Sequence, residues 1–490
     1  MTSTEKSGPG PEGSFRDSLG IVSEEGKRRW LFPKAPSGRF HRARVGMSAL
    51  LLLILFGVPF VRIGNHPFFL FNFLERKLIL FGTVFGPHDF YLVGLSVITG
   101  ITFIILFTVV FGRLFCGWIC PQTVFMEMVF RKVDYLVEGD HRAQARLRAS
   151  SWNAEKFFRK SAKYIIYAAI AFLIANTLLA YVVGIDELRK LVSEPPANHL
   201  GLFTAVVGFS VVFYWIFSWF REQACILVCP YGRLQGVLLD RNSIVIAYDH
   251  VRGEPRGKLR RDQAREGGDC IDCHQCVEVC PTGIDIRNGT QLECVNCTAC
   301  IDACDTIMDG IKKPRGLIRY ASANGITQGT GFRWTARVIG YTVVLAILVT
   351  VLTVLLVRHT PLDITVLRTP GMMFQEQPDD RISNVYDLKV LNKTFTAVPV
   401  TVRLLDPAGE VQIVGGPLTV PSQAIGESKV LIILPSGEIH RMSTPITIGV
   451  YADTTLVQTV HTSFLGPVKQ KHQEGNEHEG HEHEGGTKHE

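Results

Sequence analysis

Five runs of mostly apolar residues, near 45–63, 90–111, 164–184, 200–219 and 335–357, limit what this chain can become. Each is close to the ~20 residues needed to cross a bilayer core as a helix. In hydrocarbon only a helix or a closed barrel satisfies its own backbone hydrogen bonds, so continuous apolar runs of this length predict spanning helices. The chain is 47% hydrophobic, and these runs hold much of that share. At 490 residues it is too long for one core. The expected class is an integral membrane α-helical bundle of five spans with soluble parts attached.

Charge orders the spans. Segments 1–44, 112–163 and 220–334 are dense in Lys and Arg, whereas 64–89 and 185–199 carry two each. The positive-inside rule places the basic segments in the cytoplasm, and five crossings then put the C-terminus in the periplasm of a bacterial inner membrane. Residues 1–44, with Lys27-Arg28-Arg29 before the first run, read as a disordered cytoplasmic tail, and no cleavage site suggests a signal peptide. The net charge of +6 belongs to these flanks; it predicts contact with membrane lipid and no nucleic-acid binding.

Between the fourth and fifth runs, the spacing C-x2-C-x2-C-x3-C occurs twice. That spacing wraps three thiolates round one cubane and sends the fourth to its neighbour. Cys270, Cys273, Cys276 and Cys304 would hold one [4Fe-4S] cluster, and Cys294, Cys297, Cys300 and Cys280 the other. Zinc is the structural alternative, but three-plus-one spacing repeated twice is poor zinc-ribbon spacing. Residues 249–334 are therefore expected to form a cytoplasmic two-cluster ferredoxin-like unit, entered through a charged linker at 249–268. Pro281 follows the first run, while Asp305 stands where a second proline would be.

All twelve cysteines lie in clusters and none follows Cys304, which reads as metal chemistry on the reducing side of a membrane. The other four, Cys116/Cys120 and Cys225/Cys229, form two C-x3-C-P motifs where the second and fourth runs end. Thiols four apart share a helix face, and the proline ends one helix and permits another. Side by side, these ends would gather four thiols near the membrane surface. One such pair alone is ordinary core packing. The duplication favours a soft-metal site for Cu(I), Zn or iron-sulfur.

After Pro121, Phe125, Met128, Val129 and Leu136 form an apolar stripe opposite Arg131, Lys132 and Asp134, as for a helix lying on the bilayer. Residues 65–80 are too charged to span and read as an interfacial segment, with a buried or re-entrant segment as the alternative. His141 reads as a solvated histidine. Beyond the fifth run the period becomes two, as in Val398, Val400, Val402 and Leu404. About seven strands across 360–467 predict a C-terminal all-β immunoglobulin-like sandwich. The tail from Val468, with His472, His478, His481, His483 and His489, reads as disordered, either a metal-binding tract or merely a soluble tail.

Phe115-Cys116-Gly117-Trp118-Ile119-Cys120-Pro121-Gln122-Thr123, Cys229-Pro230-Tyr231-Gly232-Arg233, Cys280-Pro281-Thr282-Gly283-Ile284-Asp285-Ile286-Arg287, Cys300-Ile301-Asp302-Ala303-Cys304-Asp305 and Gly316-Leu317-Ile318-Arg319-Tyr320 together resemble the FixG/CcoG/RdxA family of cytochrome c oxidase accessory proteins. The resemblance runs from about residue 25 to 466, and Asp305 is ordinary for that family. It implies iron-sulfur electron transfer in assembly of a cbb3-type oxidase, as a cupric reductase converting Cu(II) to Cu(I). Copper at Cys116, Cys120, Cys225 and Cys229, an unidentified cytoplasmic electron donor and the oxidase's copper-delivery machinery as partners are consistent with it. The competing expectations are a quinol-linked polyferredoxin serving a periplasmic reductase and a non-redox assembly scaffold.

Overall fold

The computed structural model describes residues 27–64, 66–72, 77–258 and 267–467. They divide into two units, with the boundary between Arg358 and His359. The histidine-rich tail and residues 1–26 lie outside the described residues.

In the first unit, five helices are long and apolar enough to cross a membrane. They are α1 (Arg39–Gly57, prolonged by a tight turn to Phe60), α2 (Phe90–Phe111), α3 (Ala154–Val183), α4 (Leu200–Trp215, prolonged to Phe220) and α5 (Ala336–Val357). The second and fifth match the apolar runs. The third starts well before its run because Asn153 caps it, its side chain accepting the Lys156 N–H, so that polar first turns precede the apolar ones. α1 also starts early. Asp302, a residue of the cysteine-rich segment, accepts the amides of Phe40 at 3.1 Å and His41 at 2.7 Å and so caps it from outside.

That contact corrects the reading of residues 1–44 as a disordered tail. From Lys27 the chain is ordered against the cysteine-rich unit, with the Lys34 amide on the Glu278 carbonyl at 2.8 Å. Residues 62–85 differ too. They form a two-stranded ribbon (Arg62–Ile63 with His66–Pro67) and a three-stranded antiparallel sheet (Phe69–Asn72, Lys77–Leu80, Thr83–Phe85). Aromatic and β-branched residues suit strands, and the sheet docks through Phe69 on Tyr181 of α3.

The helix expected to lie on the bilayer is instead an internal element. Residues Pro121–Val137 are helical, with a π-helical stretch over Val124–Phe130. Phe125 and Met128 are buried as expected, but so are Arg131 (2% exposed) and Asp134 (1%), while Leu136 points outward. Arg131 and Asp134 turn inward because charged groups of neighbouring helices meet them there, while Lys132 stays exposed as expected.

The cysteine-rich unit starts earlier than the 249–334 expected. Val245–Tyr248 pairs antiparallel with Ile318–Ala321, closing the segment into a loop whose ends adjoin the spans. Residues 249–258 of the expected linker pack onto the unit, with Arg252 bonding Asp269 at 2.5 Å, while 259–266 lie outside the described residues.

Among its described residues the second unit has nine strands: β1 (Leu362–Arg368), β2 (Gln375–Gln377), β3 (Arg381–Asn392), β4 (Val398–Asp406), β5 (Glu410–Ile413), β6 (Leu418–Val420), β7 (Ile425–Pro435), β8 (Ser443–Ala452) and β9 (Thr455–Leu465). One sheet runs β5-β7-β3-β1 with β2 also on β3; the other runs β6-β4-β8-β9. Alternate residues Tyr386, Leu388 and Val390 face Val400, Ile448 and Phe464 in one apolar core. The Tyr386 hydroxyl donates to the Ser463 carbonyl at 2.9 Å, and Asn384 donates to Leu465 at 2.7 Å, tying β3 to the opposite sheet.

Candidate metal centres

The two cysteine runs fold the same way twice. Asp272 and Asn296 have φ of 53° and 52°, and His274 and Thr298 have φ of 57° and 65°, at matching places in each run. Left-handed residues alternating with right-handed ones turn successive amides inward, a backbone shape that receives anions such as the sulfurs of an iron-sulfur site. Amides here do approach thiols: Asn296 N–H reaches Cys294, and Ala299 N–H reaches Cys297.

The fourth cysteines of the two runs cross over. Cys304 stands with Cys270, Cys273 and Cys276 around a cavity with about 360 Å³ of empty space. Cys280 lies close to Cys294, Cys297 and Cys300. Asp305 takes a different role from the proline it replaces, accepting the Gly316 amide at 3.0 Å. Burial pushes the Cys276, Cys294 and Cys304 thiols up to about 12 and Cys297 to about 11, and lifts Cys300 further. Such thiols are neutral at pH 7 without a metal, and a bound iron's charge is what would ionise them. Crossed quartets and amides directed at thiols fit a pair of cubanes.

The two membrane motifs are also built alike. α2 ends in Gly112 (φ 58°, ψ −135°), and the fourth span ends in Arg221 (φ 50°, ψ −124°). After each reversal a short helical stretch leads to an extended cysteine, Cys120 or Cys229, and Pro121 or Pro230 opens the next helix. Arg221 pays for this turn in backbone strain, held by bonds to Asp134. The result brings Cys116, Cys120, Cys225 and Cys229 together, half-buried, with Cys116 and Cys225 raised to about 12 by burial.

Among the described residues, no three His, Cys, Asp or Glu side chains stand close enough to hold a single metal ion. This holds for the membrane quartet and for the two quartets of the cysteine-rich unit alike.

This quartet sits directly against the second cysteine run. A Cβ on Gly117 would lie 2.5 Å from the Val295 carbonyl and 2.6 Å from that of Asn296, so only glycine admits the approach. Arg113 holds the junction. Its guanidinium donates to Gln235 at 3.0 Å and to the carbonyls of Leu292 and Gly232, linking both membrane motifs to the cysteine-rich loop. Gln235 also accepts from the Cys116 thiol at 3.2 Å. Arg44 donates to the Gly117 carbonyl at 3.0 Å, and Trp118 to the Tyr320 hydroxyl at 3.2 Å. Arg113, Gly117, Gln235 and Asp302 carry no spacing signature, so sequence reasoning passes over them.

Behind the quartet lies a buried charge network. Asp134 receives Lys163 at 2.7 Å, Arg221 at 2.9 Å and the Tyr167 hydroxyl at 2.7 Å. Burial pushes its carboxyl up, but Arg221 and Lys163 prevail and hold it at about 2. Glu138 pairs with Lys160 at 2.7 Å, and Glu222 with Arg28 at 3.3 Å.

Three family models match the chain: a 4Fe-4S binding domain over 93–137, a 4Fe-4S dicluster domain over 220–323, and the IG-like fold at the C-terminus of FixG over 352–467. The chain is 38% identical to protein RdxA of Cereibacter sphaeroides over 380 residues, covering 74% of this chain and 79% of that one. It is 34% identical to RdxB of the same organism over 433 residues (84% and 90%). It is 35% identical to nitrogen fixation protein FixG of Rhizobium meliloti over 310 residues (60% and 58%).

Proposed function

Because this chain belongs to the family of RdxA, RdxB and FixG, we propose that it is a membrane electron-transfer protein that reduces Cu(II) to Cu(I) for maturation of a cbb3-type cytochrome oxidase. The observation that carries this reading is the junction at Gly117: one quartet of soft thiols at the ends of two spans, in backbone contact with a loop bearing cluster ligands. Bound cubanes would supply one-electron chemistry. Cys270, Cys273, Cys276 and Cys304 hold one, and Cys294, Cys297, Cys300 and Cys280 the other.

Conversion of Cu(II) to Cu(I) takes one electron and no proton. Cys116, Cys120, Cys225 and Cys229 offer the soft donors that favour Cu(I) over Cu(II), so ligation there biases the ion towards its reduced state. Arg113 fixes the position of these thiols relative to the loop. The distribution of Lys and Arg supports a cytoplasmic N-terminus and metal unit with a periplasmic sandwich. The partners on this reading are a cytoplasmic electron donor and the copper-delivery machinery of the oxidase.

Anaerobically purified protein carrying Cys116→Ser and Cys225→Ser should keep its iron and visible absorbance while losing Cu(I) binding. Cys273→Ser should lose iron and Cu(II) reduction but retain Cu(I) binding. Normal copper binding and reduction by the double variant would move the copper site elsewhere. A C-terminal alkaline phosphatase fusion should be active; activity only from a cytoplasmic reporter would reverse the topology.

A further inference from the structure

A cavity of about 290 Å³ lies beside the buried charge network, between the first turns of α3 and the last turns of the fourth span. Its walls carry Arg148, Lys160, Lys163 and Arg221 against a single carboxylate, Glu138. With the flanking Arg28, Asp134 and Glu222 included, five cations face three carboxylates among the described residues. Arg148 has no carboxylate partner among the described residues; it stacks on Trp30, 4.3 Å from the ring centre, and Arg28 lies over the same ring at 3.7 Å.

The surplus is felt locally. Burial, with help from Arg221 and Arg148, holds the Arg28 guanidinium below the usual arginine range despite Glu222, and its buried Nε has no hydrogen-bond partner. Among the described residues, the site has more cations than anions to balance them. Its depth indicates the source of a balancing anion: Trp30, Tyr164, Tyr214 and Trp219 line it where two apolar spans end, the level at which aromatic rings meet lipid headgroups. Basic pockets between spanning helices recognise anionic lipid headgroups.

We propose that this cavity binds the phosphate of an anionic phospholipid headgroup, with Arg148 and Lys160 as its principal cations and the rings of Trp30 and Trp219 flanking the glycerol end. The site is separate from the thiol quartets and needs no metal.

The test uses the full-length protein in neutral detergent, supplied in turn with phosphatidylglycerol, with phosphatidylcholine of the same chains, and with inorganic phosphate. Retained lipid is counted by native mass spectrometry, and thermal unfolding is followed in parallel. Phosphatidylglycerol should be retained and raise the unfolding temperature, and phosphatidylcholine should do neither. Arg148→Gln, on an exposed helix, should weaken retention about fivefold, the size expected of one cation at an anionic headgroup. Arg142→Gln on the same helix should leave it unchanged. Equal retention of the two lipids, or retention indifferent to Arg148→Gln, would overturn the proposal. Stabilisation by inorganic phosphate alone to the same degree would assign the site to a free phosphate and overturn its lipid identity.

Discussion

In the sandwich, Tyr386, Asn384 and Asn392 are buried and each has a partner: Ser463, Leu465, and the carbonyls of Thr396, Val420 and Pro421. In the cysteine-rich unit, Cys276, Cys297 and Cys300 are also buried, in a core they share with Ile246, Ile286, Met308 and Ile318 and with the other thiols. Around those thiols, His274 and Thr298 occupy left-handed backbone that costs such residues ~1 kcal/mol or more each. The sandwich stores its fold in side-chain packing. The cysteine-rich unit adds backbone strain and buried thiols to its apolar core, and a bound cluster would be what compensates for them. Each should therefore fail for a different reason.

The largest effect expected is loss of the metal. Removing iron with a chelator, or changing Cys300 to Ser, should unfold the 270–304 region, since metal-binding free energy is folding free energy in such units. Limited proteolysis should then cut within that region while the sandwich unfolds at its usual temperature. Unchanged cleavage would erase the contrast. Next in size, Ile432→Ala at the fully buried centre of the sandwich should cost about 2–5 kcal/mol. The iron-sulfur absorbance should be untouched.

Acid should separate the units again. The Asp134 carboxyl lies near 2 in the folded protein against an ordinary 3.8. Its contribution is thus full above about 3.8 and is lost as pH falls from there towards 2. One such shift is about 2 kcal/mol. Unfolding of the first unit, followed against pH, should show this loss, and Asp134→Asn should abolish that dependence. The smallest change, Tyr386→Phe, leaves the Ser463 carbonyl without its donor and should lower the sandwich's stability by about 1 kcal/mol. No change would mean that water replaces the hydroxyl.

The spans were legible because hydrocarbon accepts so few solutions, and the cysteine runs because their spacing is a ligand pattern. The alternation at Val398, Val400 and Val402 announced β4, yet β1, β2 and β6 went unseen, the last two being only three residues long. Arg131 and Asp134 misled because a polar stripe looks alike whether it faces water or a buried counter-charge. Only the folded chain supplies Arg221 and Lys163 as partners. The strands of residues 62–85 were not foreseen in the segment read as interfacial, because their pairing and the Tyr181 contact leave no clear period in so short a stretch.

The spacing at Gly117 is set by main chain against main chain. Side chains that touch neither Gly117 nor the Arg113 guanidinium can drift through generations of substitution without altering the gap between the thiol quartet and the second cysteine run. One added methyl at Gly117 would widen it, and loss of Arg113 would loosen it. The junction is therefore tolerant at most positions and fragile at these two codons.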